Sequence, residues 1–173
     1  LISKKIKKIS PVKLNIKSPK ETGKTFSSNS KLKANYFSRL TELPVISDDS
    51  GLCIKALGEK PGIYSARWAH KHGNFLKAMK FILKKMKNKK NRSATFVCSL
   101  SFKYPGKKIT NVTARIKGSI SHKILGTKGF GYDPIFVPYR KNMTFGQMDK
   151  LRKIKMDHRY IAFKQIKKKI KIL

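Results

Sequence analysis

Acidic side chains are scarce in this chain. Eight Asp and Glu stand against forty-two Lys and Arg, a formal charge of +34 over 173 residues. Cysteine is scarce too. Cys53 and Cys98 lie far apart with no CxxC spacing, which excludes a disulfide framework or a cysteine-built zinc site. Both sit in apolar, strand-like surroundings, so buried reduced thiols and a cytoplasmic protein are expected. No run of ~20 apolar residues is present, which excludes a membrane-spanning helix of that kind. The opening Leu1-Ile2-Ser3-Lys4-Lys5 lacks an apolar h-region, so no signal peptide is expected. The length suits one domain with a real core and makes two improbable.

Arginine is also sparse. Only seven of the forty-two basic residues are Arg. Lysine-rich charge of this size attracts phosphate backbones, but arginine is the usual reader of bases. An AT-rich genome writing a solvated lysine surface explains the balance equally well. Nucleic acid is therefore expected to bind non-specifically if at all, while the positive field draws in small anionic substrates.

Against this background two acids stand side by side in Ser47-Asp48-Asp49-Ser50-Gly51-Leu52. Neighbouring carboxylates raise one another's pKa unless a cation or donors hold them ionised. Hard oxygen ligands suit Mg2+, which takes one or two protein carboxylates plus substrate phosphates. Leu43-Pro44-Val45-Ile46 before and Gly51 after read as a strand delivering acids to a turn. Asp, Ser and Gly are equally ordinary residues of a surface turn.

Along the chain, Val12, Leu14 and Ile16 alternate as in a strand. Ser27, Ser28 and Asn29 are N-cap candidates for a helix carrying Leu32, Tyr36 and Leu40. Short strands are expected at 45–47 and 52–57, with a break over 58–62. Phe75, Met79, Ile82, Leu83 and Met86 form one face of an amphipathic helix. Lys87 to Arg92 reads as a polar linker. Residues 94–102 read as a central strand, Pro105-Gly106 as a turn and 109–116 as the hairpin partner. Gly126 to Gly131 is a glycine-rich loop, 135–137 a short strand, and Arg159, Ala162, Phe163, Ile166 and Ile170 a final helical stripe. Strands mixed with helices predict α/β or α+β. His70 and His72 lack further ligands at metal spacing. Glu42, Glu59, Asp149 and Asp157 read as surface or capping acids. By residue type, Phe130 and Tyr132 suit a core as well as a site, His158 suits a helix surface, and Lys153 is one lysine among many.

Three runs, taken together, carry more. They are Glu21-Thr22-Gly23-Lys24-Thr25-Phe26 with Asn29, Lys33 and Ala34; the acidic run continued by Pro61-Gly62 and Tyr64-Ser65-Ala66-Arg67-Trp68; and Gly129-Phe130-Gly131-Tyr132-Asp133-Pro134-Ile135-Phe136 followed by Thr144-Phe145, Lys153 and His158-Arg159. In this order they resemble the inosine triphosphatase family, the XTP/dITP pyrophosphatases, from Glu21 to the end. The resemblance implies an inosine-triphosphatase-like α/β fold: one domain over 1–173, an elongated mixed sheet flanked by helices, and two lobes around a nucleotide cleft. It implies a homodimer and Mg2+-dependent conversion of ITP, dITP or XTP to the monophosphate and pyrophosphate. By the same resemblance Asp49 is the metal-holding catalytic base and Glu21 a second metal-side carboxylate. Ser50 lies beside the nucleotide, and Lys33 faces phosphate. Phe130, Gly131, Tyr132 and Asp133 close on base and sugar, the rings of Phe130 and Tyr132 offering faces for stacking. Lys153, His158 and Arg159 supply donors for a 6-oxo purine.

Departures from the family pattern are visible as well. Nothing before Glu21 matches the family's first strand and Thr/Ser-x-x-Asn-x-x-Lys phosphate loop, so Leu1 is expected to fall inside the helix that follows that loop. The competing expectations are a catalytically impaired, basic nucleic-acid-binding protein and a truncated gene product. Gln147 replaces a usual Glu, Ile154 a polar residue, and Asp157 the Ser that precedes His-Arg.

Overall fold

Thr25 opens the first helix of the structure, a computed structural model in which residues 7–170 are described. Its hydroxyl accepts from the Ser28 amide, and the Ser28 hydroxyl accepts from the Thr25 amide, a reciprocal cap. Helix α1 therefore runs Phe26–Thr41, starting just before the expected cap residues. Asn29 is no cap but a fully buried residue in the helix. The strand expected around Val12 is instead a short 3-10 turn, Pro11–Leu14. Pro11 presets the φ of the turn, and Val12 is 81% exposed, so nothing apolar holds an extended strand there. Leu1 to Lys5, with the readings attached to them, lie outside the described residues.

Five strands form one sheet in the order β2-β1-β3-β4-β5: β1 Val45–Ile54, β2 Lys60–Pro61, β3 Ser93–Lys103, β4 Thr110–Ile120 and β5 Phe136–Pro138. Strand β2 pairs antiparallel with β1, and β5 antiparallel with β4. Among the described residues the other α-helices are α2 Ser65–Lys71, α3 Phe75–Lys85, α4 Lys150–Ile154 and α5 His158–Lys169.

The chain divides into two compact units, with β1, β3, β4 and α5 contributing residues to both. In the first unit (1–49, 99–113 and 161–173), serines and Asn111 secure α1. Ser30 Oγ bonds to Ser99 and Ser101, Asn111 Nδ2 donates to Ser99 Oγ, Ser101 Oγ and the Leu100 carbonyl, and Ser47 Oγ donates to the Ser30 carbonyl. Ser30, Ser99 and Ser101 are fully buried, and each satisfied bond contributes about 1 kcal/mol.

In the second unit (50–98 and 114–160), the core gathers Leu52, Ile54, Met79, Ile82, Met86, Phe96, Phe136 and Phe145. The helical stripe read from the sequence supplies Met79, Ile82 and Met86 to it, with Phe75 and Leu83 packed alongside. Arg92 is more than linker: its guanidinium donates to the carbonyls of Met86, Ile120 and Ser121, tying the end of α3 to the end of β4. Both cysteines are buried free thiols.

Candidate functional site

The acidic pair does not sit in a turn. Val45–Ile54 is one continuous strand with Asp48 and Asp49 in its middle. Successive side chains of a strand point to opposite faces. Asp48 is accordingly exposed and Asp49 only 7% exposed. Two acids adjacent in sequence are thus set apart in space, and of the charges acting on Asp49, Asp48 contributes least. Burial in the fold, not a turn propensity, decides the local conformation here.

Asp49 Oδ2 accepts a hydrogen bond of 3.0 Å from Asn29 Nδ2. Asn29 Oδ1 in turn accepts from the Gly23 amide at 2.8 Å. Asn29 therefore couples the carboxylate to the segment that carries Glu21. Gly23 must lack a side chain, because a Cβ there would collide with Ser28 Oγ and Asn29 Oδ1. Lys33, one turn beyond Asn29 on α1, donates to Glu21 Oε1 at 2.6 Å. Burial pushes the Asp49 carboxyl up to about 6; the Asn29 bond and Lys33 oppose the rise, and Glu21 and Asp48 reinforce it. Asp49, Glu21 and Lys33 are thus within electrostatic reach of one another in the first unit, joined by Asn29, which the sequence placed among the cap candidates and in the first motif run without a role in the site. A cavity of about 520 Å3 lined by Asn111, Val112, Thr113, Gln165, Lys168 and Lys169 includes none of the predicted site residues.

The second unit holds the other predicted group. The glycine-rich loop turns back on Asp133, whose Oδ2 accepts from the Phe130 amide at 2.6 Å. Gly129 has φ +82°, and a Cβ on it would run into the Asp133 carboxylate. Lys153 Nζ lies 2.8 Å from Asp133 Oδ2 and 2.9 Å from Asp157 Oδ2. It also sits 5.3 Å from the centre of the Phe145 ring. Burial alone would lower the Lys153 pKa, but Asp133 and Asp157 outweigh it and hold the ammonium above the usual lysine range. Burial pushes Asp133 up, against Lys153 and the Phe130 amide. The His158 ring is 2% exposed and stacks on Phe96 at 4.8 Å with 3° between the planes. Its Nε2 lies 3.3 Å from an Arg159 guanidinium nitrogen. Arginine has no acceptor, so Nε2 accepts and the ring proton of neutral His158 resides on Nδ1.

The motifs read from the sequence thus fall into two built clusters, and comparison with known proteins identifies the family of the chain. The profile of the Ham1 family matches residues 1–169. The chain belongs to the Ham1 family. The dITP/XTP pyrophosphatase of Caulobacter vibrioides is 40% identical over 156 residues, covering 89% of this chain and 80% of that protein. The enzyme of the same name from Oceanobacillus iheyensis is 41% identical over 150 residues, covering 86% and 76%. Among solved structures, the Staphylococcus aureus Ham1 protein superposes with a TM-score of 0.86 at 34% identity, covering 91% of this chain and 82% of that one. A HAM1 protein from Coxiella burnetii superposes with a TM-score of 0.88 at 31% identity, covering 95% and 85%.

Within this Ham1-family chain several expectations change. Tyr132 does not offer its ring: it is 2% exposed, edge-on to Phe75, and its hydroxyl donates to the Ser65 carbonyl at 2.9 Å. Phe130 is 65% exposed and free of the core. A phenol needs a buried partner for its hydroxyl and finds one, whereas the Phe130 ring follows the glycine turn outward. Asp157 is no surface acid but 9% exposed, and its Oδ1 accepts from the Arg159 amide at 2.8 Å, capping α5. Asp149 is a cap as expected, on α4. His158 is buried, not on a helix surface. Ser50 follows Asp49 on β1, half-buried, and Gly131 has φ +66°, where a Cβ would come into van der Waals range of the Phe75 ring.

Proposed function

We propose that this protein hydrolyses non-standard purine nucleoside triphosphates (ITP, dITP and XTP) between the α and β phosphates, releasing the monophosphate and pyrophosphate, in a Mg2+-dependent reaction. The observation that carries the proposal is the buried Asp49 carboxylate, held by Asn29 among Glu21 and Lys33, in a chain about 40% identical to proteins named dITP/XTP pyrophosphatase.

The donors suit Mg2+. Asp49 and Glu21 are hard oxygen ligands, and Asp49 sits where burial, reinforced by Glu21 and Asp48, disfavours its ionisation, a condition that a dication relieves. Among the described residues no group of three or more His, Cys, Asp and Glu is arranged to hold a metal. Mg2+ takes one or two protein carboxylates and fills its shell with water and phosphate oxygens. When bound, Mg2+ would neutralise phosphate charge and polarise the scissile bond.

The chain's own residues do the rest. Asp49, ionised above about pH 6, accepts a proton from the attacking water. Asn29 fixes which carboxylate oxygen is turned away from that water. Lys33 exchanges Glu21 for phosphate oxygens as the substrate arrives, and Ser50 lies beside the nucleotide. Phe130 gives the base a ring to stack on. Lys153 and Arg159 offer donors to the 6-oxo group, the Arg159 guanidinium being held by the buried His158 ring, and a 6-amino group, itself a donor, leaves such donors unpaired. Asp133 anchors both the loop and Lys153. No helix among the described residues is long and apolar enough to cross a membrane. A homodimer working in the cytoplasm completes the proposal.

The deciding experiment measures pyrophosphate release from ITP, XTP, ATP and GTP with and without Mg2+, for the wild type and Asp49→Asn. Release from ITP and XTP only, lost in the variant, is the expected result. Equal turnover of ATP and ITP defeats the selectivity, and undiminished turnover by the variant defeats the mechanism.

A further inference from the structure

Lys153 is held in an unusual way for a residue meant to meet a ligand. Its ammonium carries three N–H donors. Asp133 Oδ2 takes one at 2.8 Å, and Asp157 Oδ2 takes another at 2.9 Å. Both acids are buried, and the Lys153 side chain is itself only 17% exposed. A lysine with one carboxylate partner can swing about that contact on its flexible stem. With two partners on different segments, the nitrogen is fixed and a single donor direction remains. Asp157 does this while its other oxygen caps α5 through the Arg159 amide. The acid therefore locks Lys153 to the helix end that carries His158 and Arg159.

We propose that Asp157 is a positioning residue for purine selection. Together with Asp133 it clamps the Lys153 ammonium so that one N–H meets the oxo group of the base. The inference rests on the reading of this cluster as the purine site. The clamp also occupies the two carboxylates, which, left unpaired, would accept hydrogen bonds from the 6-amino group of adenine. Asp157 thus acts on both sides of the discrimination, through Lys153, and touches neither the phosphates nor the water. The charged groups facing Lys153 are Asp133 and Asp157, and the Arg159 amide and the His158 ring flank Asp157. Although burial works against ionisation, His158, Lys153 and the Arg159 amide keep the Asp157 carboxyl below the usual range, which favours its charged form beside Lys153.

Two roles of Asp157 need separating, the cap and the clamp. Asp157→Ser keeps a capping oxygen and removes the carboxylate from Lys153. Asp157→Glu keeps a carboxylate and weakens the cap. Kinetics with ITP and ATP are measured for both, alongside unfolding temperatures. In protein labelled with 13C-lysine, the Lys153 Cε resonance, assigned with Lys153→Arg, is titrated against pH. The expected result for Asp157→Ser is a KM for ITP raised about 10–150-fold with kcat within about twofold, the size of one lost charged hydrogen bond, and a narrowed preference for ITP over ATP. The Lys153 titration midpoint falls in the same variant and is restored in Asp157→Glu. An unmoved Lys153 titration, or a loss confined to kcat or to unfolding temperature, overturns the proposal. If the wild type releases no pyrophosphate from ITP, the functional reading fails separately, and the Lys153 titration still decides whether Asp157 holds the ammonium.

Discussion

Replacing Asp49 with Asn removes the reacting carboxylate and is expected to make the protein more stable. A carboxyl with an ordinary pKa of 3.8 is pushed up to about 6 in the folded protein, chiefly by burial. Below about pH 4 it is protonated both folded and unfolded and contributes no difference. Between about pH 4 and 6 the unfolded chain releases the proton and the folded protein keeps it, so stability falls as pH rises. Above about pH 6 the folded protein carries a buried charge, at a constant penalty. A rise of this size corresponds to roughly 2–3 kcal/mol at ~1.4 kcal/mol per pH unit. Asn fills nearly the same space, and its amide oxygen can accept from Asn29 Nδ2 as Oδ2 does now. The variant is therefore expected to unfold about 4–12 °C above the wild type at pH 8 without Mg2+, and at the same temperature at pH 4. Pyrophosphate release from ITP should vanish in parallel. Added Mg2+ should raise the unfolding temperature of the wild type and leave that of the variant unmoved. Thermal unfolding by circular dichroism across pH 4–8 reads all of this. A variant less stable than the wild type at pH 8, or a difference independent of pH, would refute the reasoning.

Other substitutions probe the neighbours. Asn29→Ala leaves the Asp49 oxygen and the Gly23 amide without their partner, which should cost about 1–3 kcal/mol in urea unfolding. Because the lost bond favours the ionised carboxyl, the acid limb of the pH–rate profile should move to higher pH. Arg92→Lys cannot reach three carbonyls at once and should destabilise by about 1.5–3 kcal/mol, with KM for ITP unchanged. Phe130→Ala removes an exposed ring whose one ring contact is edge-on with Phe75. It should cost less than ~1.5 kcal/mol of stability yet raise KM for ITP at least about 5-fold, in steady-state assays.

Much of this protein could be read from residue order. The stripe through Phe75, Met79, Ile82 and Met86 is a helix because one face of it meets a core, and local spacing records that burial directly. The alternation from Ala94 to Phe102 lies in β3 for the same reason. The motifs around Asp49, Asp133 and His158 pointed to the family and to its chemistry. Local composition misled at Asp48-Asp49, where turn-forming residues lie inside a strand, and at Val12, where alternation without burial made no strand.

What the sequence by itself determined is the inventory: one paired-acid motif in a strongly cationic chain, a glycine loop leading to an aspartate, and a cluster of donors near the C-terminal end. The tertiary structure alone decided the partnerships. It sent Asp48 outward and Asp49 inward, brought Asn29 to a carboxylate twenty residues away, buried Tyr132 while exposing Phe130, and set Asp157 with Asp133 on a single lysine. Periodicity along a chain reports which face is buried, but a hydrogen bond between distant segments depends on register and packing that no local spacing encodes.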